Sequence, residues 1–132
     1  MQRRDYLKAL LAGGAALSAV PAFAASGRPI VLEVDLEVDP AREKEMLDNF
    51  HNIFKPAAVK HGAGYIDVKM LKLRSALMGT APQGLNYRFQ LVYESEELRQ
   101  KWVDSPEHKR AWPTIEKTLK SKNYRVLLFD EA

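Results

Sequence analysis

Residues 29–38, PIVLEVDLEV, alternate without a fault: Ile30, Leu32, Val34, Leu36 and Val38 fall on one side, and Glu33, Asp35 and Glu37 on the other. A period of two marks a strand with one buried face. The chain must therefore supply a layer to cover that face, while the carboxylate side meets water or a partner. An all-helical fold and a sheet dry on both sides are excluded.

The covering layer follows directly. In DPAREKEMLDNFHNIFKPAAVKHGAG, Asp39 is the N-cap, Pro40 takes the first helical position, and Met46, Leu47, Phe50, Phe54 and Ala58 recur at helical spacing. Gly62 and Gly64 end this helix, and Pro56, which has no N–H, predicts a kink or a division. YIDVKMLKLRS is a second strand, with Ile66, Val68 and Met70 on one face and Asp67, Lys69 and Leu71 on the other. NYRFQLVYE is a third, with Tyr87, Phe89, Leu91 and Tyr93 opposite Arg88, Gln90 and Val92. Between them ALMGTAPQGL is an unusually apolar loop, suited either to a lid over a pocket or to covering a partner's sheet edge.

Ser95 caps a helix through EELRQKWVD, Ser105 with Pro106 restarts it, and Pro113 predicts a further break before TIEKTLKSK. NYRVLLFDEA is the last strand. The order β-α-β-β-α-β is the ferredoxin-like arrangement, an α+β fold with an antiparallel sheet and helices on one face. Its other face carries Glu33, Asp35, Glu37, Asp67, Lys69, Arg88 and Gln90, too charged for a dry core. At 132 residues the chain fits one such domain.

The first 24 residues have the layout of an export signal: a basic start, an apolar run from Ala9 to Val20, and small residues at Ala22 and Ala24. Arg3 and Arg4, followed by Tyr6, Leu7 and Lys8, resemble a twin-arginine signal, with Gln2 and Tyr6 departing from its usual residues. The run is too short and too rich in Gly and Ala for a stable membrane anchor. The expectation is a signal peptide over 1–24, a domain over 25–132, and a periplasmic or secreted product.

No cysteine occurs, so disulfides and thiol chemistry are excluded. Of the net charge of +3, Arg3, Arg4 and Lys8 against Asp5 put +2 in the leader. The remaining domain carries no electrostatic case for nucleic acid. G-x-G-x-x-G, Walker, nucleophile-elbow and H-E-x-x-H patterns do not occur.

From Val31 to Asp130 the chain resembles the dimeric α/β-barrel superfamily, through EVDPAREKEMLDNF, YESEELRQKWVDSPEH and YRVLLFDE. Within it the chain is most similar to the antibiotic biosynthesis monooxygenase family. That family runs from its third strand into an aromatic-Glu-Ser-Glu turn and a helix with Trp, Ser and His, here Tyr93, Glu94, Ser95, Glu96, Trp102, Ser105 and His108. Pro106 and His108 also resemble the Pro-x-His of the stress-responsive dimeric barrel family.

These resemblances imply a homodimer whose two sheets form a barrel. They also imply a cofactor-independent monooxygenase for a small aromatic or polyketide-like substrate, or alternatively a non-catalytic exported ligand-binding or stress-response barrel. In the polyketide cyclase of the second family the matching histidine is the catalytic base, which makes His108 the catalytic candidate. A haem-degrading branch places its iron ligand ten residues after the tryptophan; here that residue is Trp112, which cannot ligate iron. Neither a cofactor nor a metal is expected.

A histidine is suited to base chemistry because its ordinary pKa lies near neutrality. The competing reading makes His108 an exposed, untasked polar residue of a helical first turn, and on either reading an imidazole at a helix start is expected to bury little. Trp102, four residues after Leu98, packs between helix and sheet. Trp112 would stack with His108 on one helix face were Pro113 not about to break the helix. Tyr87, Tyr93, Phe50, Phe54 and Trp102 are the expected substrate walls, while Asn49, His51 and His61 read as solvated.

Export predicts removal of the residues through Ala24 or Ala25. Intact-mass spectrometry of the exported protein should find the chain starting there; a retained Met1 would contradict it.

Overall fold

The computed structural model describes residues 28–132; the expected leader and cleavage point lie outside the described residues. Four strands, β1 (Ile30–Leu36), β2 (Tyr65–Lys72), β3 (Tyr87–Tyr93) and β4 (Arg125–Asp130), form an antiparallel sheet in the order β2-β3-β1-β4. Leu32 lies opposite Leu91 on one side and Leu128 on the other, and Asp35 opposite Arg88 and Arg125. Opposed residues share a face, so Ile30, Leu32, Val34, Leu36, Tyr87, Phe89, Leu91 and Tyr93 form the buried side. The alternation read from the sequence is the alternation of burial in β1 and β3.

In β2 the register slips between Tyr65 and Asp67. This bulge turns Ile66 out, 45% exposed, and leaves Tyr65, Val68 and Met70 inward, correcting the expected face.

A 3₁₀ turn (Pro40–Arg42), helix α1 (Glu43–Asn49), a π-turn (Phe50–Phe54) and helix α2 (Lys55–His61) follow β1 without interruption. Asp39 Oδ1 accepts from Ala41 N at 2.9 Å. Pro56 does not divide the helix. Instead the turn before it widens, with the Lys55 N–H donating to the Phe50 carbonyl, and Phe50 and Phe54 both stay buried against the sheet.

Helix α3 (Glu96–Asp104) is capped by Ser95 Oγ, which accepts from Leu98 N at 3.2 Å. Helix α4 (Pro106–Glu116) is capped by Ser105 Oγ, which accepts from His108 N at 3.2 Å and donates to the Trp102 carbonyl at 2.6 Å. The expected break at Pro113 is absent. Pro113 is exposed, so the carbonyl its missing N–H leaves free faces water and the cost stays small. The segment from Thr114 is the last turn of α4 and a tail.

The outer face of the sheet pairs its own charges. The Asp35 carboxylate sits between Arg88 Nε at 2.6 Å and Arg125 Nη2 at 2.5 Å, and Gln90 Nε2 donates to Glu33 at 2.9 Å. Burial pushes the Asp35 carboxyl up, but the two guanidiniums outweigh it and hold it below its ordinary value. Among the described residues the sheet is open: β4 has β1 as its one neighbour, and all six of its residues are exposed.

Asn86 clamps the end of β1 to the start of β3. Its Oδ1 accepts from Val38 N and its Nδ2 donates to Val38 O, both at 2.8 Å, and Val38 is fully buried. Asn86→Leu strands both backbone groups and should lower stability by about 2–4 kcal/mol. In urea the midpoint should fall with an unchanged slope; an unmoved midpoint would show the clamp to be idle.

Candidate aromatic site at His108

The geometry of this site follows from four aromatic positions carried on different elements. Phe54 leaves the π-turn, Trp102 sits in the last turn of α3, Trp112 lies one helical turn after His108 on α4, and Phe89 rises from β3. Phe54 meets Phe89 at 5.2 Å, Trp102 at 6.0 Å and Trp112 at 5.8 Å, all edge to face. Because α4 continues through Pro113, the Trp112 ring lies nearly parallel to His108 at 6.5 Å. His108 is also edge-on to Trp102 at 5.3 Å and to Phe54 at 6.0 Å.

His108 is therefore no exposed first-turn residue; its ring is half-buried in an aromatic box. Ser105 caps the helix through the His108 backbone, which fixes where the ring begins. Neither ring nitrogen is hydrogen-bonded to another of the described residues. Burial, with Lys109 and Arg99 nearby, pushes the imidazole down to about 4. At neutral pH it is uncharged and one nitrogen is an open acceptor.

A cavity of about 120 Å³, partly open to solvent, reaches this ring. Leu32, Val34, Phe89 and Leu91 form its floor. Phe54, Arg99, Trp102, Val103, His108 and Trp112 form its walls, with Tyr124 and Val126 at the β4 side. Arg99 is held by Glu96 through two contacts of 2.7 Å, so a fixed cation borders the apolar space. On the opposite wall Trp112 Nε1 donates to Tyr124 Oη at 3.1 Å, and Tyr124 donates to Glu116 at 2.9 Å.

Of the expected walls, Phe54 and Trp102 line this cavity beside His108. Phe50 stands one layer behind, stacked on Phe54 at 6.3 Å. Tyr87 donates to Glu43 at 2.5 Å near the other end of the sheet, and its hydroxyl is pushed up to about 12 by burial and that carboxylate. Tyr93 packs on Gly62 so closely that a Cβ there would fall 2.1 Å from its hydroxyl. Arg99, Trp112 and Tyr124 border the site without having been picked out for it. Arg99, three residues after Glu96 and three before Trp102, was the legible one. Asn49, expected to be solvated, donates to the Thr114 carbonyl at 2.9 Å.

Two larger clefts, about 300 and 370 Å³, lie around the 73–86 loop. On their borders Asp35, Arg88, Arg125 and Lys72 already have partners. None of the loop's residues lines the His108 cavity, so within one chain it is not that cavity's lid. Among the described residues no group of three or more His, Asp or Glu is placed to hold a metal ion. No helix among them is long and apolar enough to cross a membrane.

No family model matches the sequence, and no curated protein matches it significantly. Solved structures do match over most of the chain. A conserved protein from Methanosarcina mazei superposes with a TM-score of 0.63 at 13% identity, over 83% of this chain and 99% of that one. A dimeric ferredoxin-like protein of unknown function from Jannaschia gives 0.62 at 14%, over 79% and 98%. The fold is ferredoxin-like. A candidate antibiotic biosynthesis monooxygenase from Caulobacter crescentus gives 0.63 at 17%, over 80% and 92%. The resemblance read from the sequence and the likeness in three dimensions thus point to the same group of folds.

The depressed His108 pKa has a stability consequence with a definite sign. Its folded value lies below the roughly 6.5 of the unfolded chain, so between those values the unfolded state binds the proton. The stability contributed by the neutral ring is full above pH 6.5 and is lost as pH falls towards 4. His108→Phe should remove that part of the decline, so the melting temperatures of variant and wild type should converge or cross between pH 6.5 and 4. Parallel curves would place the imidazole in water.

Proposed function

We propose that this chain is an exported homodimer that binds a single-ring hydroxyaromatic compound beside His108 and oxygenates it without a resident cofactor. The observation that carries the reading is the apolar cavity containing one neutral imidazole. A closed cavity of about 150 Å³ holds benzene; this one, about 120 Å³ and partly open, takes one ring, and a larger polyketide-like substrate would have to extend out of its mouth. Similar structures described as candidate antibiotic biosynthesis monooxygenases, from Caulobacter crescentus and Nitrosomonas europaea, support the reaction class. Those described as dimeric, from Jannaschia and Thermobifida fusca, support the homodimer. The leader pattern of residues 1–24 supports export.

In this reading His108 accepts the ring hydroxyl and Arg99 steadies the oxyanion as it forms. The carbon para to the hydroxyl takes one atom of O₂ and becomes a carbonyl. The other atom leaves as water with the para hydrogen and the hydroxyl proton. Phenol plus O₂ gives quinone plus water, with four electrons passing from ring to oxygen and no outside reductant.

The pKa limits the base. With His108 at about 4 and a phenol near 10, ionisation is uphill by about 8 kcal/mol. That is half of a barrier of roughly 16 kcal/mol for ten turnovers per second. Proton transfer is then transient, and acidic phenols are the better substrates. The same weakness favours one second reading, a binding protein in which His108 orients a ligand and reacts with nothing.

Oxygen uptake with para-unsubstituted phenols separates the two. The oxygenase consumes one O₂ per quinone formed, and His108→Gln lowers the rate roughly 100-fold. Saturable binding without uptake leaves the binding protein, and no binding at millimolar concentration removes both.

A further inference from the structure

We propose that the tip of the β2–β3 loop, Leu77 and Met78, docks on the edge strand β4 of a second copy beside Val126, so that each cavity is closed by its partner. This rests on the homodimer of the preceding section. Leu77 is 95% exposed and Met78 94%, and two adjacent side chains of this size almost wholly in water are unusual on a free surface. The loop beneath them is anchored. Leu73 N donates to Asn86 O at 2.9 Å, Asn86 N to Leu36 O at 3.1 Å, and Gly84, at φ 82°, packs against the Glu37 carboxylate.

Among the described residues the second exposed apolar element is β4, where Val126, Leu127, Leu128 and Phe129 are each about two-fifths to one-half exposed. A long apolar edge strand invites pairing. The loop of the same chain does not serve it: its Pro82–Leu85 arm borders Arg125, but the tip residues Leu77 and Met78 remain 95% and 94% exposed.

A twofold axis running parallel to the strands, between two sheets packed outer face to outer face, solves both problems at once. It sets the partner's β2 edge over β4 and keeps the strand ends level. Lys72, where the loop leaves β2, pairs with Tyr87, Tyr87 with Leu36, and β4 begins beside Asp35 at Arg125. The partner's loop therefore arrives on the outer side at Arg125 and rounds the free edge of β4 to reach Val126, which lies opposite Val34 on the helical side. Leu77 is five residues past Lys72, a reach of up to about 17 Å, against a sheet separation of about 10 Å, which leaves roughly 7 Å to round that edge. On the outer face Leu71 at one edge and Leu127 and Phe129 at the other are 42%, 39% and 47% exposed, so this arrangement gives apolar contact at both edges of the paired sheets. Val126 lines the His108 cavity, so the docked tip walls it.

The absence of cysteine makes the test clean. Leu77→Cys is mixed with Val126→Cys, and separately with Leu128→Cys to allow for a shift along the strand, and oxidised mildly. At least one mixture should yield about tenfold more mixed disulfide, seen by mass spectrometry, than Leu77→Cys with Lys44→Cys on the helical layer. No excess in a protein that light scattering finds dimeric overturns the docking and leaves the dimer. A monomer overturns both.

Discussion

The packing of Phe54 is the contact on which the rest of the structure depends. One ring, almost wholly buried, touches Phe50, Phe89, Trp102, His108 and Trp112. It thereby joins the first helical segment, both later helices and the sheet. The π-turn that carries it is where a proline would otherwise have broken the helix. A misplaced Phe54 would unseat both tryptophans and open the site, since edge-to-face contacts hold only at particular angles.

The same packing sets the chemistry. An imidazole surrounded by aromatic rings, with Lys109 and Arg99 close by, loses its proton far more readily than one in water. It stands as an uncharged acceptor in an otherwise apolar space. Arg99 itself is paired with Glu96, and on the outer face Asp35 is held between two arginines. A sheet that neutralises its own outer charges can approach a second sheet without stranding them, and its uncovered apolar side chains remain to drive contact.

Much of this was legible in the residue order because it is carried by period. Strict alternation in β1 and β3, Asp39 and Ser95 as caps, and Ser105 with Pro106 follow from local chemistry and hold in three dimensions. The departures have a common cause: each was decided by tertiary contact. Pro56 was absorbed by a widened turn that keeps two phenylalanines buried, Pro113 by facing water, and Ile66 by a bulge at an edge strand. At the site, Trp102, Phe54 and His108 were recognisable as residue types. Tyr87 and Tyr93 share the inward face of β3 but lie toward its two ends, and position along a strand is not encoded in its period. The burial of His108 depended on α4 surviving Pro113, which local propensity argued against.

The central claim is that the aromatic box around His108 is a binding site for one ring. Both tryptophans of the chain line it, so intrinsic fluorescence reports on it directly. Titration with hydroxyaromatics of one, two and three fused rings should quench that emission saturably for the single-ring compound and progressively less for the larger ones. Equal saturable quenching by the three-ring compound, or none by any of them, would contradict the account.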